Sequence, residues 1–136
     1  MNIAVIDAQG GGIGKQLVAR IKKEYPSEWV IAVGTNSIAT SAMLKAGADQ
    51  GATGENSVVV TCKKADVIIG PIGIIIADSM LGEITPTIAR CVSQAEVTRI
   101  LIPFSMCDTL IAGVSSLSTG NLIDAAMLEL QRVVNK

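Results

Sequence analysis

Asp7-Ala8-Gln9-Gly10-Gly11-Gly12-Ile13-Gly14-Lys15 is the stretch of this chain best suited to chemistry. Glycine permits close backbone approach and positive φ, so several N–H groups can face one anion. A helix opening directly behind the glycines would add the partial positive charge of its N-terminus. The stretch therefore reads as a phosphate cradle, with Gln9, Gly10, Gly11, Gly12, Ile13 and Gly14 as binding positions. The simpler alternative is a tight turn that needs glycine, but four glycines exceed what such a turn requires.

The spacing approaches three motifs and completes none. GxGxxG from Gly10 and Gly12 would need a third glycine at Lys15. GxxxGxG, used by dehydrogenases of the short-chain type, finds Gly12-Ile13-Gly14 but places its first glycine on Ala8. The Walker spacing GxxxxGK[ST] ends in Gly14-Lys15, with Gln9 for its first glycine and Gln16 for the metal-binding hydroxyl. Without that hydroxyl, metal-assisted nucleoside triphosphate hydrolysis is disfavoured. A dinucleotide fold also offers an acid about 20 residues beyond the loop, at the end of the second strand. Here Gly34-Thr35-Asn36-Ser37 stands there, with no carboxylate for a ribose diol and no Arg for a 2′-phosphate. Thr35, Asn36 and Ser37 can hydrogen-bond a ribose or phosphate, or simply cap a helix.

Other groups carry weaker signals. Asp7 can meet a ligand or hold Mg²⁺ through water, but capping N–H groups of its own loop is the role favoured for it. Lys15 can pair with phosphate as a point charge or be solvated. Gly51–Asn56 can form a second wall of the site or a solvent loop. Gly70-Pro71-Ile72-Gly73 can lie against a ligand or reverse the chain. Asp78 and Glu83 make no metal motif, and surface solvation is the reading taken for them. Ile74-Ile75-Ile76 with Met80 and Leu81 suits a core better than a dimer contact. Cys62, Cys91 and Cys107 lack an activating base and should be inert.

These residues must be positioned by alternating strands and helices. Ile3–Ile6, Trp29–Val33, Val67–Gly70 and Arg99–Ile102 are short apolar runs of the kind found in parallel strands covered on both faces. Ile13, Leu17, Val18 and Ile21 recur at helical spacing in a first helix that ends before Pro26. Asn36 or Ser37 can cap a second helix through Ala46, stopped by Gly47. Ala48–Gly54 reads as a glycine-rich loop. Glu55–Lys64 is open between strand, from the β propensity of Ser57–Thr61, and crossover helix, from its place between loop and strand; the helix is favoured. Ile72–Leu81 is apolar and fits no element clearly. Thr85 and Pro86 suit the N-cap and first position of a helix. Thr109–Val114 reads as a fifth strand, and its short connection makes it antiparallel. Ser118 caps a last helix running to about Val134. The expectation is one domain over 1–136, a three-layer α/β Rossmann-like sandwich, mostly parallel and five-stranded with an antiparallel edge.

Composition narrows the function classes. Eleven Lys and Arg against twelve Asp and Glu give a net charge of −1, so no basic footprint for nucleic acid exists. Tyr25, Trp29 and Phe104 are the only aromatics, too few for a base-stacking platform. Histidine is absent, which removes Ser-His-Asp and Cys-His chemistry. Three distant cysteines with no CxxC indicate neither a disulfide framework nor a zinc site. The uncharged stretch Val67–Ala77 falls well short of the about 20 residues that span a bilayer. With no signal pattern at MNIAVIDAQG, the expected location is cytoplasmic, without a membrane partner.

IDAQGGGIGK, GTNSIATSAMLKAGA, ATGENSVVV, ADVIIGPIG and LGEITP together resemble a small bacterial family of unknown function, over nearly the whole chain. The resemblance implies a stand-alone domain and brings no activity with it. It also implies glycine where this chain has Ala8, which alanine can replace at negative φ. The first strand, loop and helix are similar to Rossmann-like nucleotide-binding proteins, and fold analogy alone does not establish function.

The function expected is therefore a small domain binding NAD(P) or another nucleotide, with no metal. The alternatives are an enzyme acting on a phosphorylated metabolite through Asp7 and Lys15, and an oligomeric interaction module without ligand, a homodimer for example, whose apolar middle segment forms the oligomer.

Overall fold

Ile3, Ala4, Val5 and Ile6 are fully buried without interruption, because helices cover both faces of the strand they form. A computed structural model describes residues 1–104, 109–114 and 117–136. Its strands are β1 (Asn2–Asp7), β2 (Trp29–Gly34), β3 (Gln50–Thr53), β4 (Val67–Pro71) and β5 (Thr98–Ile102). Its helices are α1 (Gly12–Glu24), α2 (Ser37–Lys45), α3 (Glu55–Lys64), α4 (Pro86–Gln94) and α5 (Thr119–Val134), with a 3-10 turn at Ile72–Ile75. The sheet order is β3-β2-β1-β4-β5, and every pairing is parallel.

Alternation along β1 divides the core in two. Ile3 and Val5 pack with Leu17, Val18 and Ile21 of α1, Met43 of α2 and Leu130 of α5. Ala4 and Ile6 pack with Val58 of α3 and Ile88 and Val92 of α4. Each buried aliphatic side chain contributes about 1.5–3 kcal/mol through removal from water.

The caps expected from sequence are present. Asn36 Oδ1 accepts the Ala39 N–H at 2.9 Å, Thr85 Oγ1 the Ile88 N–H at 3.1 Å, and Ser118 Oγ the Asn121 N–H at 3.1 Å. Pro86 follows Thr85 at the start of α4. Glu55–Lys64 is the expected crossover helix.

Two expectations are corrected. The sheet is wholly parallel, and Thr109–Val114 forms no antiparallel edge strand. Val114 N–H turns back to the Ile111 carbonyl at 3.3 Å and Gly113 has φ +83°, which breaks any extended run. Leu110 stands 93% exposed, with no sheet face to cover it. The connection expected before it falls partly on residues 105–108, outside the described residues. The fifth strand lies within the supposed loop 48–54 instead. Gln50–Thr53 pairs with β2 from Ile31↔Gln50 to Gly34↔Thr53. Main-chain pairing holds this edge, and its small residues let α2 approach: a Cβ on Gly51 would meet the Leu44 side chain at 2.8 Å. The apolar stretch 72–81 becomes the 3-10 turn and a series of tight turns, with Asp78, Met80 and Leu81 at φ 54–66°.

From β1 the chain adds β2 and β3 on one side, then returns to add β4 and β5 on the other. Strand order therefore reverses between β1 and β4. A crevice opens outside the carboxyl ends of the strands at such a point.

Candidate functional site: the cleft at the carboxyl edge

The residues after β1 build one wall of that crevice. Asp7 ends the strand and is 4% exposed. Its Oδ1 accepts the Ala8 N–H at 2.8 Å and its Oδ2 the Gly14 N–H at 2.7 Å. Burial pushes the Asp7 carboxyl above its ordinary range, the two N–H groups act against that, and the nearby Glu83 adds to the rise. Both oxygens of Asp7 are thus engaged in stapling the loop to the first turn of α1. Ala8 keeps negative φ, so no glycine is required there.

The four loop glycines differ in what surrounds them. Gly11 has φ +71°, and a Cβ there would lie 3.0 Å from the Ala39 main chain. A Cβ on Gly14 would lie 2.6 Å from Met43 Sδ and 2.9 Å from Asp7 Cβ. These two glycines let α1 sit close to α2 and β1. At Gly10 and Gly12 φ is not positive, and a Cβ would meet nothing within 4 Å among the described residues. The N–H groups of Gly10, Gly12 and Ile13 have no partner among the described residues. Gly10, Gly12 and Ile13 line a cleft of about 270 Å³, closed by Pro71 at the end of β4 and by Met80, Phe104 and Thr119.

One strand over, Glu83 gathers the groups expected to meet a ribose. Its Oε1 accepts Thr35 Oγ1–H at 2.7 Å, Asn36 Nδ2–H at 2.8 Å and the Gln9 N–H at 2.9 Å. Asn36 Nδ2 also donates to the Gln9 carbonyl at 2.9 Å. Burial alone would raise the Glu83 carboxyl; the Thr35 hydroxyl, the Gln9 N–H and the Asn36 amide outweigh it and hold it below its ordinary range. Glu83 is accordingly a half-buried acid tied down by hydrogen bonds through one oxygen, not a freely solvated one. Thr40, 6% exposed, fixes the turn into α2 by accepting the Gly34 N–H at 3.2 Å and sharing a hydrogen bond with Thr53 Oγ1 at 2.8 Å.

A family model described as Domain of unknown function (DUF3842) matches residues 2–135. The chain belongs to the DUF3842 family. No curated protein matches it. Its fold is similar to that of a dodecameric FMN-dependent Ubix-like decarboxylase from Escherichia coli O157:H7, solved as a crystal structure. The identity is 18% and the TM-score 0.49, over 98% of this chain and 76% of that chain.

In this DUF3842 protein the cleft brings together Asp7, Gln9, Gly10, Gly12, Ile13 and Pro71 of the residues singled out in the sequence. Gly11 and Gly14 lie beneath it as packing contacts. Gly70 belongs to the sheet, where a Cβ would strike the Ile6 carbonyl. Thr35 and Asn36 stand beside the cleft, bound to Glu83. Ser37 and Lys15 line a different space, an open groove of about 980 Å³ between α1 and α2. Lys15 is therefore not among the groups around the glycine loop's cleft. Among the described residues no group of three His, Cys, Asp or Glu is placed to hold a metal ion, and no helix is long and apolar enough to cross a membrane. Gln16, Met80, Phe104 and Thr119 of the cleft, and Glu83 beside it, were not signalled as site residues by any local pattern.

Proposed function

We propose that the chain binds the phosphate of a nucleotide or dinucleotide in the cleft between β1 and β4. The observation that supports this reading is the pair Gly10 and Gly12. Packing among the described residues requires neither glycine, both lack a side chain where the cleft lies, and their N–H groups and that of Ile13 are unpaired among the described residues. Unpaired N–H groups at the first turn of a helix favour an anion. Asp7 serves as loop staple in this arrangement, and Pro71 forms the facing wall. The cleft's volume suits a phosphate and the sugar next to it, leaving the rest of a dinucleotide to run along the sheet edge past Thr35.

The test is thermal unfolding of the full chain with NAD(H), NADP(H), FAD, ATP, GTP, AMP and inorganic phosphate. A ligand at 100 times its dissociation constant adds about 2.7 kcal/mol, a rise in Tm of roughly 10 °C for a domain this size. A shift by one nucleotide, absent with phosphate alone at equal concentration, is the expected result. No shift from any of them at millimolar concentration overturns the reading.

A further inference from the structure

The nucleotide reading leaves the Glu83 carboxylate without a task. Its Oε1 carries three hydrogen bonds, from Thr35, Asn36 and the Gln9 main chain, and its Oε2 has no partner among the described residues. Three donors on one oxygen fix the orientation of the group and leave the other oxygen able to accept. The segment that delivers Glu83 is pinned. Asp78 N–H donates to the Ile84 carbonyl at 2.7 Å, and Ser79 Oγ–H, itself buried, donates to the Gly73 carbonyl at 2.6 Å. The same segment holds Asp78, Met80 and Leu81 in the left-handed region, and Gln9, which meets Glu83, has φ +52°. Side chains that must hold one orientation at a site are presented by backbone whose surroundings over-determine it.

The location gives the carboxylate its chemistry. Thr35 directly follows β2, and this strand end is where folds of this topology read a ribose with an acid. The residues there, Thr35-Asn36-Ser37, carry none. The acid arrives instead from residue 83, 48 positions further along the chain. An ionised carboxylate only accepts hydrogen bonds, so it takes hydroxyls and rejects another anion.

We propose that Glu83 selects the ribose of the bound nucleotide, accepting a free 2′,3′-diol through Oε2 and repelling a 2′-phosphate. This inference rests on the nucleotide reading above. It is tested by calorimetric titration of the full chain with 5′-AMP, 2′-deoxy-AMP and 2′,5′-ADP, for the wild type and Glu83→Gln. The wild type should prefer 5′-AMP to 2′,5′-ADP by about 100-fold and to 2′-deoxy-AMP by about 10-fold. Glu83→Gln keeps an acceptor oxygen for Thr35 and Gln9, and should narrow the first preference to about 10-fold or less. Equal wild-type affinity for the three ligands overturns the proposal, as does a folded Glu83→Gln with the full preference. If that variant does not fold, the wild-type ratios decide alone. Absence of binding by all three ligands also overturns it. The nucleotide panel then tells whether the cleft reading has failed with it, since another nucleotide still shifting Tm would leave that reading standing.

Discussion

At the scale of single residues, the glycine loop separates into two pairs with opposite expectations. Gly11→Ala puts a Cβ on left-handed backbone against Ala39, and Gly14→Ala pushes one into Met43 and Asp7. Each should lower unfolding free energy by about 1–3 kcal/mol. Gly10→Ala and Gly12→Ala meet no described residue within 4 Å, at ordinary φ. They should be neutral or stabilising by up to about 1 kcal/mol, because alanine has less chain entropy to lose. Urea unfolding of the four variants measures this. Gly12→Val should fold and yet lose the nucleotide-dependent rise in Tm; a retained rise would remove Gly12 from the binding surface. The division also explains why the loop completes none of the three spacings it approaches. Motifs count every glycine, whereas here two serve packing and two face the cleft.

At the scale of elements, legibility followed how local the determining physics is. Asn36, Thr85 with Pro86, and Ser118 cap helices through bonds to residues three positions on, so a short window of sequence contains the whole cause. The buried strands are legible for a similar reason, since both faces demand apolar residues. β3 escaped because its pairing is main-chain only, and small residues such as Gly51 and Ala52 look like loop. Glu83 escaped because its partners lie 47 to 74 positions away. Thr109–Val114 misled because apolar composition alone does not say whether a sheet face exists to receive it. That correction can be checked by charge. Leu110→Lys, at a fully exposed position, should change stability by less than about 0.5 kcal/mol. Ile100→Lys on β5, where the side chain joins the core beside Ile102, should cost several kcal/mol, because it buries an unpaired ammonium. Comparable losses for the two variants would restore residue 110 to a buried strand.

At the scale of the whole molecule, the sheet makes one cooperative unit of two separate cores. Leu17 lies in the core on the α1, α2 and α5 side, and Ile88 in the core on the α3 and α4 side; neither is more than 1% exposed. Among the described residues no helix bridges the two, but β1 and β4 contribute alternate residues to both, so neither core can dissolve while the strands remain covered. Leu17→Ala and Ile88→Ala should each cost about 2–5 kcal/mol through lost burial and a residual cavity. Because the two sites share no partner side chain, their costs should add to within about 0.5 kcal/mol. Each single variant should still unfold in one transition, with far-UV circular dichroism and Trp29 fluorescence giving the same midpoint. Trp29 begins β2 and reports on the sheet, whereas circular dichroism weights the helices. An Ile88→Ala protein in which the helical signal falls before the Trp29 signal would mean that α3 and α4 form a separate unit. The carboxyl-edge cleft would then lie across a joint that opens on its own, since Pro71 and Met80 come from the α4 side and Gly10 and Gly12 from the α1 side. A single transition instead places both sides of the cleft in one cooperative unit, and ligand binding should then raise the one midpoint without splitting it.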